Sequence, residues 1–141
     1  MKKVLVFGSF DLLHDGHKYF LKEAKKLGDS LIVVVARDDT IRDFKKVDPM
    51  YSEEERIEHV KKLEVADEVI LGYKGDKWKV IETVKPNVIA LGYDQDSYTD
   101  GLKKGMVERG LNVRIVRLGS YKPEKYKSSL LKENGKSDDI Y

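Results

Sequence analysis

The sequence predicts an open, five-stranded parallel α/β sheet covered by helices on both faces, a three-layer sandwich. Three features lead there. Five short apolar runs recur along the chain, amphipathic stretches lie between them, and no repeat or linker interrupts the 141 residues. Continuous apolar runs suit a parallel strand, which is buried on both faces. The length favours one domain, taken as residues 1–141.

The first strand is KVLVFG, residues 3–8, bounded by lysine and glycine. In HKYFLKEAKKLGD, Phe20, Leu21, Ala24 and Leu27 share one helical face, and Gly28 is placed as the C-cap. SLIVVVA, residues 30–36, is the second strand, and 36–51 reads as a loop. Ser52 and Glu55 then stand at capping-box spacing ahead of a helix whose Ile57, Val60 and Leu63 lie along one side. DEVILG, residues 67–72, is the third strand. Trp78, Ile81 and Val84 space out a further helix, which Pro86 ends. NVIALG, residues 87–92, is the fourth strand, and NVRIVRL, residues 112–118, is the fifth. The helix between them, about 98–109, is weakened by Gly101 and Gly105. Beyond 120 the chain is polar and lysine-rich, with one helical turn expected at 128–133 and disorder expected over 134–141.

Composition excludes several classes. Charged residues are 37% of the chain, but 27 basic against 25 acidic leave a net charge of only +2, too little to argue for a nucleic-acid partner. The absence of cysteine removes disulfides and thiolate metal sites. No stretch approaches the roughly 20 apolar residues of a membrane span, and the apolar run near the N-terminus is too short for a signal peptide. A cytoplasmic protein is expected.

Ligands of open α/β sheets bind beyond the carboxyl ends of the strands, which directs attention to 8–17, 36–51, 72–76, 92–98 and 118–128. In GSFDLLHDGH the first strand hands over to a helix, with His14 and His17 either side of Gly16. A helix start offers unpaired N–H groups and partial positive charge, glycine permits close approach, and imidazoles can donate to phosphate oxygens. Two other readings stay open. The histidines could share a metal ion with Asp11 or Asp15, or one could cap the helix while the other faces solvent. Neither a Walker loop nor a GxGxxG fingerprint is present. His59 reads as a surface helix residue.

GSFDLLHDGH resembles the (S/T)FDxxHxGH signature of the nucleotidyltransferase superfamily with a Rossmann-like fold, which contains cytidylyltransferases, pantetheine-phosphate adenylyltransferases and FAD synthases. YSEEERIEHVKKLEVADEVILG resembles the superfamily's ExR and DEVI block, and LGYDQ its fourth-strand loop. VVVARDDT, LGYDQ and SYKPEKYKSS are most similar to archaeal FAD synthases. Glycerol-3-phosphate cytidylyltransferases come next, but their RTxGISTT motif is replaced here by RLGSYKPEKYKSS.

The resemblance implies transfer of AMP from ATP to FMN, giving FAD and pyrophosphate by direct in-line attack. The alternatives are a CTP-dependent polyol- or sugar-phosphate cytidylyltransferase and a non-catalytic nucleotide-binding protein. It implies His14, His17 and Lys46 as catalytic, and Ser9, Phe10, His14, Asp15, Gly16, His17, Gly92, Asp94, Tyr121, Ser128 and Ser129 as nucleotide-binding. Arg56 is the implied acceptor-binding residue, with an exposed helix-face ion pair as its plainer alternative. A divalent cation, Mg²⁺, is expected to ride on the phosphates and water with no protein ligands. Partners are small molecules only, and a homodimer is permitted.

Overall fold

The computed structural model describes residues 2–73, 77–92 and 101–119. In chain order these form β1 (Lys3–Gly8), α1 (Asp15–Lys25), β2 (Ser30–Val35), α2 (Asp38–Lys45), α3 (Glu53–Lys62), β3 (Glu68–Leu71), α4 (Lys77–Val84), β4 (Val88–Leu91), α5 (Leu102–Glu108) and β5 (Arg114–Arg117). The sheet order is β3-β2-β1-β4-β5, and every pair is parallel. β1 and β2 run in register from Lys3 opposite Ser30 to Gly8 opposite Val35.

Alternation along the strands builds two cores. Val4, Val6, Leu31, Val33 and Val35 face Leu21 and Ala24 of α1 and Val60 of α3. Leu5, Phe7, Ile32, Val34, Ile89 and Leu91 face Val80 and Ile81 of α4 and Leu102 and Met106 of α5. Both faces are thereby covered, which explains why the central strands read as unbroken apolar runs. The two edge strands carry exposed charge instead, at Glu68 and at Arg114 and Arg117. The chain leaves β1 towards β2 and β3, then crosses back to β4 and β5, so the order reverses between β1 and β4. In open α/β sheets such a switch point, here beyond Gly8 and Leu91, is where ligands bind.

The Ser52–Glu55 capping box forms as expected: Ser52 Oγ accepts from the Glu55 amide at 3.1 Å, and Glu55 Oε1 accepts from the Ser52 amide at 3.0 Å. Asp67, just before β3, accepts from the Leu31 amide and from Lys25 Nζ, both at 2.7 Å, tying α1 and β2 to the edge of the sheet.

Three expectations change. Residues 38–45, read as loop, form α2. Acidic residues in its first turn and basic ones in its last suit a helix, and Ile41 enters a small buried apolar cluster with Ala36. Gly28 is not the C-cap of α1, a place taken by Lys26 in an ordinary right-handed conformation. Gly28 instead lets the chain pass the start of β1, where a Cβ would lie 2.8 Å from the Lys2 carbonyl oxygen. Gly105 does not break α5. It admits Trp78 of α4, whose ring carbon would lie 2.2 Å from an added Cβ. The turn expected at 128–133 and the end at 134–141 lie outside the described residues.

Candidate active site

The site begins where β1 stops. Phe10 follows the strand in a left-handed conformation, φ 52°, and is buried. Its ring crosses over Gly8, where a Cβ would come within 2.7 Å of Phe10 Cε2. The absence of a side chain at Gly8 thus leaves room for the ring. Phe10 in turn meets His17 edge-on, with ring centroids 5.8 Å apart. The chain from Gly8 to Phe10 is therefore the seat of His17, which is itself buried.

His14 is the N-cap of α1, and the helix start is closed by histidines on both sides. Nδ1 of His14 accepts from the Gly16 amide at 3.0 Å, and Nδ1 of His17 accepts from the His14 amide at 3.2 Å. The usual capping box uses Ser or Thr with Glu or Gln. An imidazole that accepts through Nδ1 carries its proton on Nε2. Both rings are fixed as Nε2–H donors, their centroids 4.1 Å apart. An Nε2 that keeps its proton has no lone pair for a cation, so the paired histidines suit an anion and not a metal ion. The N-terminal dipole of an 11-residue helix adds to the same field. Gly16 is required by the cap, because a Cβ there would lie 2.7 Å from Cε1 of the His14 ring. Asp15 is exposed in the first helical turn.

Arg56 is placed differently from expectation. It is neither an acceptor-facing side chain nor a surface ion pair, because its side chain is completely buried. Nη1 donates to the Ser9 carbonyl at 2.9 Å and to the Ala36 carbonyl at 2.7 Å. Nε donates to the Tyr51 carbonyl at 3.1 Å, and Nη2 meets Asp38 Oδ1 at 2.7 Å. The guanidinium binds together the segments that leave β1 and β2 and the one that enters α3. Its planar fork of five donors suits it to four converging acceptors. Asp38 gives the buried charge its counter-ion.

Asp11 likewise differs from the metal-oxygen reading. Its two carboxylate oxygens accept from the Met50 amide at 2.7 Å and the Tyr51 amide at 2.9 Å, which latches the loop after α2 onto the loop after β1. Lys46 lies in that latched loop, exposed and left-handed at φ 64°, as the C-cap of α2. Asp38 is the site-shaping residue that sequence reasoning missed, and Asp11, named there only as a possible metal ligand, acts as a latch. The acidic start of α2 was the one available signal for Asp38. His59 is half-buried, not a surface residue, and packs edge-on against Tyr51 at 4.8 Å.

Across the switch point, Gly92 follows β4, and its carbonyl accepts from Arg117 Nη1 at 2.8 Å. Ser9, Phe10, Gly16 and the two histidines are thus brought together at the end of β1. Asp94, Tyr121, Ser128 and Ser129 lie outside the described residues. Among the described residues, no group of three histidine, aspartate or glutamate side chains is arranged to hold a metal ion, and no helix is long and apolar enough to cross a membrane.

Comparison with known proteins gives consistent matches. Residues 5–134 match the cytidylyltransferase-like family model. The FAD synthase of Thermoplasma volcanium is 43% identical over 133 residues, covering 94% of this chain and 93% of that protein. The FAD synthase of Ferroglobus placidus is 47% identical over 118 residues, covering 84% of this chain and 76% of that protein. Among solved structures, one described as a lipopolysaccharide core biosynthesis protein from Thermoplasma volcanium superposes with TM-score 0.82 at 44% identity, covering 86% of this chain and 99% of that one. A pantoate-beta-alanine ligase from Francisella tularensis shares the fold, with TM-score 0.65 at 16% identity over 93% of this chain and 67% of that one.

Proposed function

The chain belongs to the cytidylyltransferase-like family, and on that premise we propose that it is an FMN adenylyltransferase, converting ATP and FMN to FAD and pyrophosphate. The observation that carries the reading is 42–47% identity to archaeal FAD synthases over most of the chain. The paired Nε2–H donors at the start of α1 give it a chemical basis.

In the reaction a phosphate oxygen of FMN attacks the α-phosphorus of ATP. The new O–P bond forms as the bond to the bridging oxygen of the β-phosphate breaks, and pyrophosphate leaves with that electron pair. No group on the protein needs to become covalently bound. Its contribution is to position the reactants and stabilise charge spreading over the phosphate oxygens. His14 and His17 donate from Nε2 to those oxygens. The α1 dipole reinforces them, and the exposed Lys46 supplies a cation from the loop that Asp11 latches.

A divalent cation fits as a companion of the triphosphate, since the donors at this site hold protons and Asp11 is engaged with two amides. Bound there, it would neutralise phosphate charge with water and phosphate oxygens as its ligands.

The test is direct. Purified protein with ATP, MgCl₂ and FMN should form FAD and pyrophosphate, read by chromatography with fluorescence detection. Absence of FAD above background would reject the assignment. Product from CTP and glycerol 3-phosphate instead would move the protein to the cytidylyltransferases.

A further inference from the structure

Phe10 stands in the left-handed region, φ 52°. A bulky side chain rarely adopts that backbone conformation, which persists only where the surroundings over-determine it. Among the described residues, the other non-glycine residues at positive φ are Lys46, Glu64 and Lys85. Each of those sits just past the last residue of a helix, where a left-handed turn is common. Phe10 follows a strand instead, so something else must hold it.

The hold is a closed circuit of hydrogen bonds. On the N-terminal side of Phe10, the Ser9 carbonyl accepts from Arg56 Nη1 at 2.9 Å. On its C-terminal side, the Asp11 carboxylate accepts from the Met50 amide at 2.7 Å and the Tyr51 amide at 2.9 Å. Both arms return to the Tyr51 backbone, whose carbonyl accepts from Arg56 Nε at 3.1 Å. Phe10 is the single residue between two anchored neighbours, which leaves its backbone little choice. The left-handed turn in turn decides where the ring lies: over Gly8 and edge-on to His17, 5.8 Å between centroids. Relaxation to negative φ would redirect the Phe10 Cβ and take the ring away from His17.

We propose that Asp11 is a positioning residue for the reaction: it holds Phe10 left-handed and, through the Phe10 ring, fixes where Nε2 of His17 points. The proposal rests on the FMN adenylyltransferase reading and deepens it. A carboxylate is ill suited to meet phosphate oxygens itself, so its effect on turnover passes through the protein. Arg56 closes the same circuit, but it is fully buried and also binds Ala36 and Asp38, so Asp11 is the arm that can be altered without unbuttoning the fold.

The test is a double-mutant cycle between Asp11→Asn and His17→Gln, read as kcat for FAD formation. Asparagine keeps one acceptor oxygen for one of the two amides, and thermal melts check that the fold stands. Asp11→Asn alone should lower kcat about tenfold, the scale of a small misplacement of a reacting group, with KM for ATP unchanged. In the His17→Gln background the same substitution should have no further effect, because the group it positions is gone. Losses that multiply would show Asp11 acting independently of His17 and overturn the proposal, as would unchanged kcat in Asp11→Asn. Phe10→Leu, which leaves both anchoring arms in place, should reproduce the loss, and full turnover there also overturns it. A second measurement needs no turnover: the His17 Nε2 resonance in ¹H–¹⁵N spectra should move in Asp11→Asn, and an unmoved resonance counts against the proposal. A resonance that moves while wild-type protein makes no FAD would refute the enzyme reading and leave the coupling from Asp11 to His17 standing.

Discussion

His14 and His17 close the start of one helix reciprocally, each through Nδ1: His14 takes the Gly16 amide at 3.0 Å, and His17 takes the His14 amide at 3.2 Å. The arrangement does two things at once. It satisfies backbone donors that an uncapped helix would leave open, and it selects the tautomer in which both Nε2 atoms are donors.

The tautomer is measurable. Long-range ¹H–¹⁵N correlation spectra at neutral pH should show both rings protonated on Nε2. A ring found protonated on Nδ1 would remove the cap from the explanation. A second proton on either ring would convert its Nδ1 into a donor and abolish the cap bond.

Capping and chemistry can be separated at His17. Glutamine is an uncharged capping-box residue suited to this buried helix position and can still accept from the His14 amide. His17→Gln should therefore keep the helix while losing turnover by about 10²–10³-fold, the usual effect of removing a transition-state donor. Comparison of thermal melts with kcat decides it. Near-normal turnover in a folded variant would mean His17 is only a cap.

At Gly16 two effects on stability oppose each other. Alanine is a better helix former by about 1 kcal/mol, but its Cβ would displace the His14 ring and release a cap of about 1 kcal/mol. Gly16→Ala should accordingly shift urea denaturation little while activity drops sharply. A variant of unchanged activity would show that the His14 ring is not needed where it stands.

Arg56 should behave as a structural clamp. Removing one partner of a buried ion pair typically costs about 3–5 kcal/mol, so Arg56→Met should be strongly destabilised. Arg56→Lys should recover little, because an ammonium cannot reproduce the fork that reaches Ser9, Ala36, Tyr51 and Asp38. Denaturant midpoints check both. An Arg56→Lys protein of normal stability with a raised KM for FMN would restore Arg56 to the acceptor site.

Asp67 gives a pH-dependent signature. Hydrogen bonding from Lys25, and then from the Leu31 amide, holds its carboxyl below the ordinary aspartate range. A group whose value is lowered by folding stabilises the fold above the unfolded-state value, about 3.9, and loses that contribution as the pH drops through the folded one. The stability difference between wild type and Asp67→Asn should thus be largest at neutral pH and shrink below about pH 4. Urea midpoints at pH 7 and pH 3 measure it, and a gap that persists at pH 3 would show that the ionised carboxylate is not responsible.

The amino-acid sequence by itself determined the strands, most of the helices and the histidine loop. Each depends on residues within a turn or two of one another. Continuous burial along Val4–Gly8 follows from the run itself, the Ser52–Glu55 box from a spacing of three, and the His14–Gly16–His17 cap from four consecutive residues. Tertiary structure decided what joins distant segments. Arg56 meets Ser9 across 47 positions and Ala36 across 20, and Asp11 meets Met50 across 39. In sequence an arginine on a helix looks the same whether it faces water or a nest of carbonyls. Parallel crossovers bring the ends of β1 and β2 to the same edge of the sheet, and only there do separate loops become one set of acceptors for a single buried guanidinium.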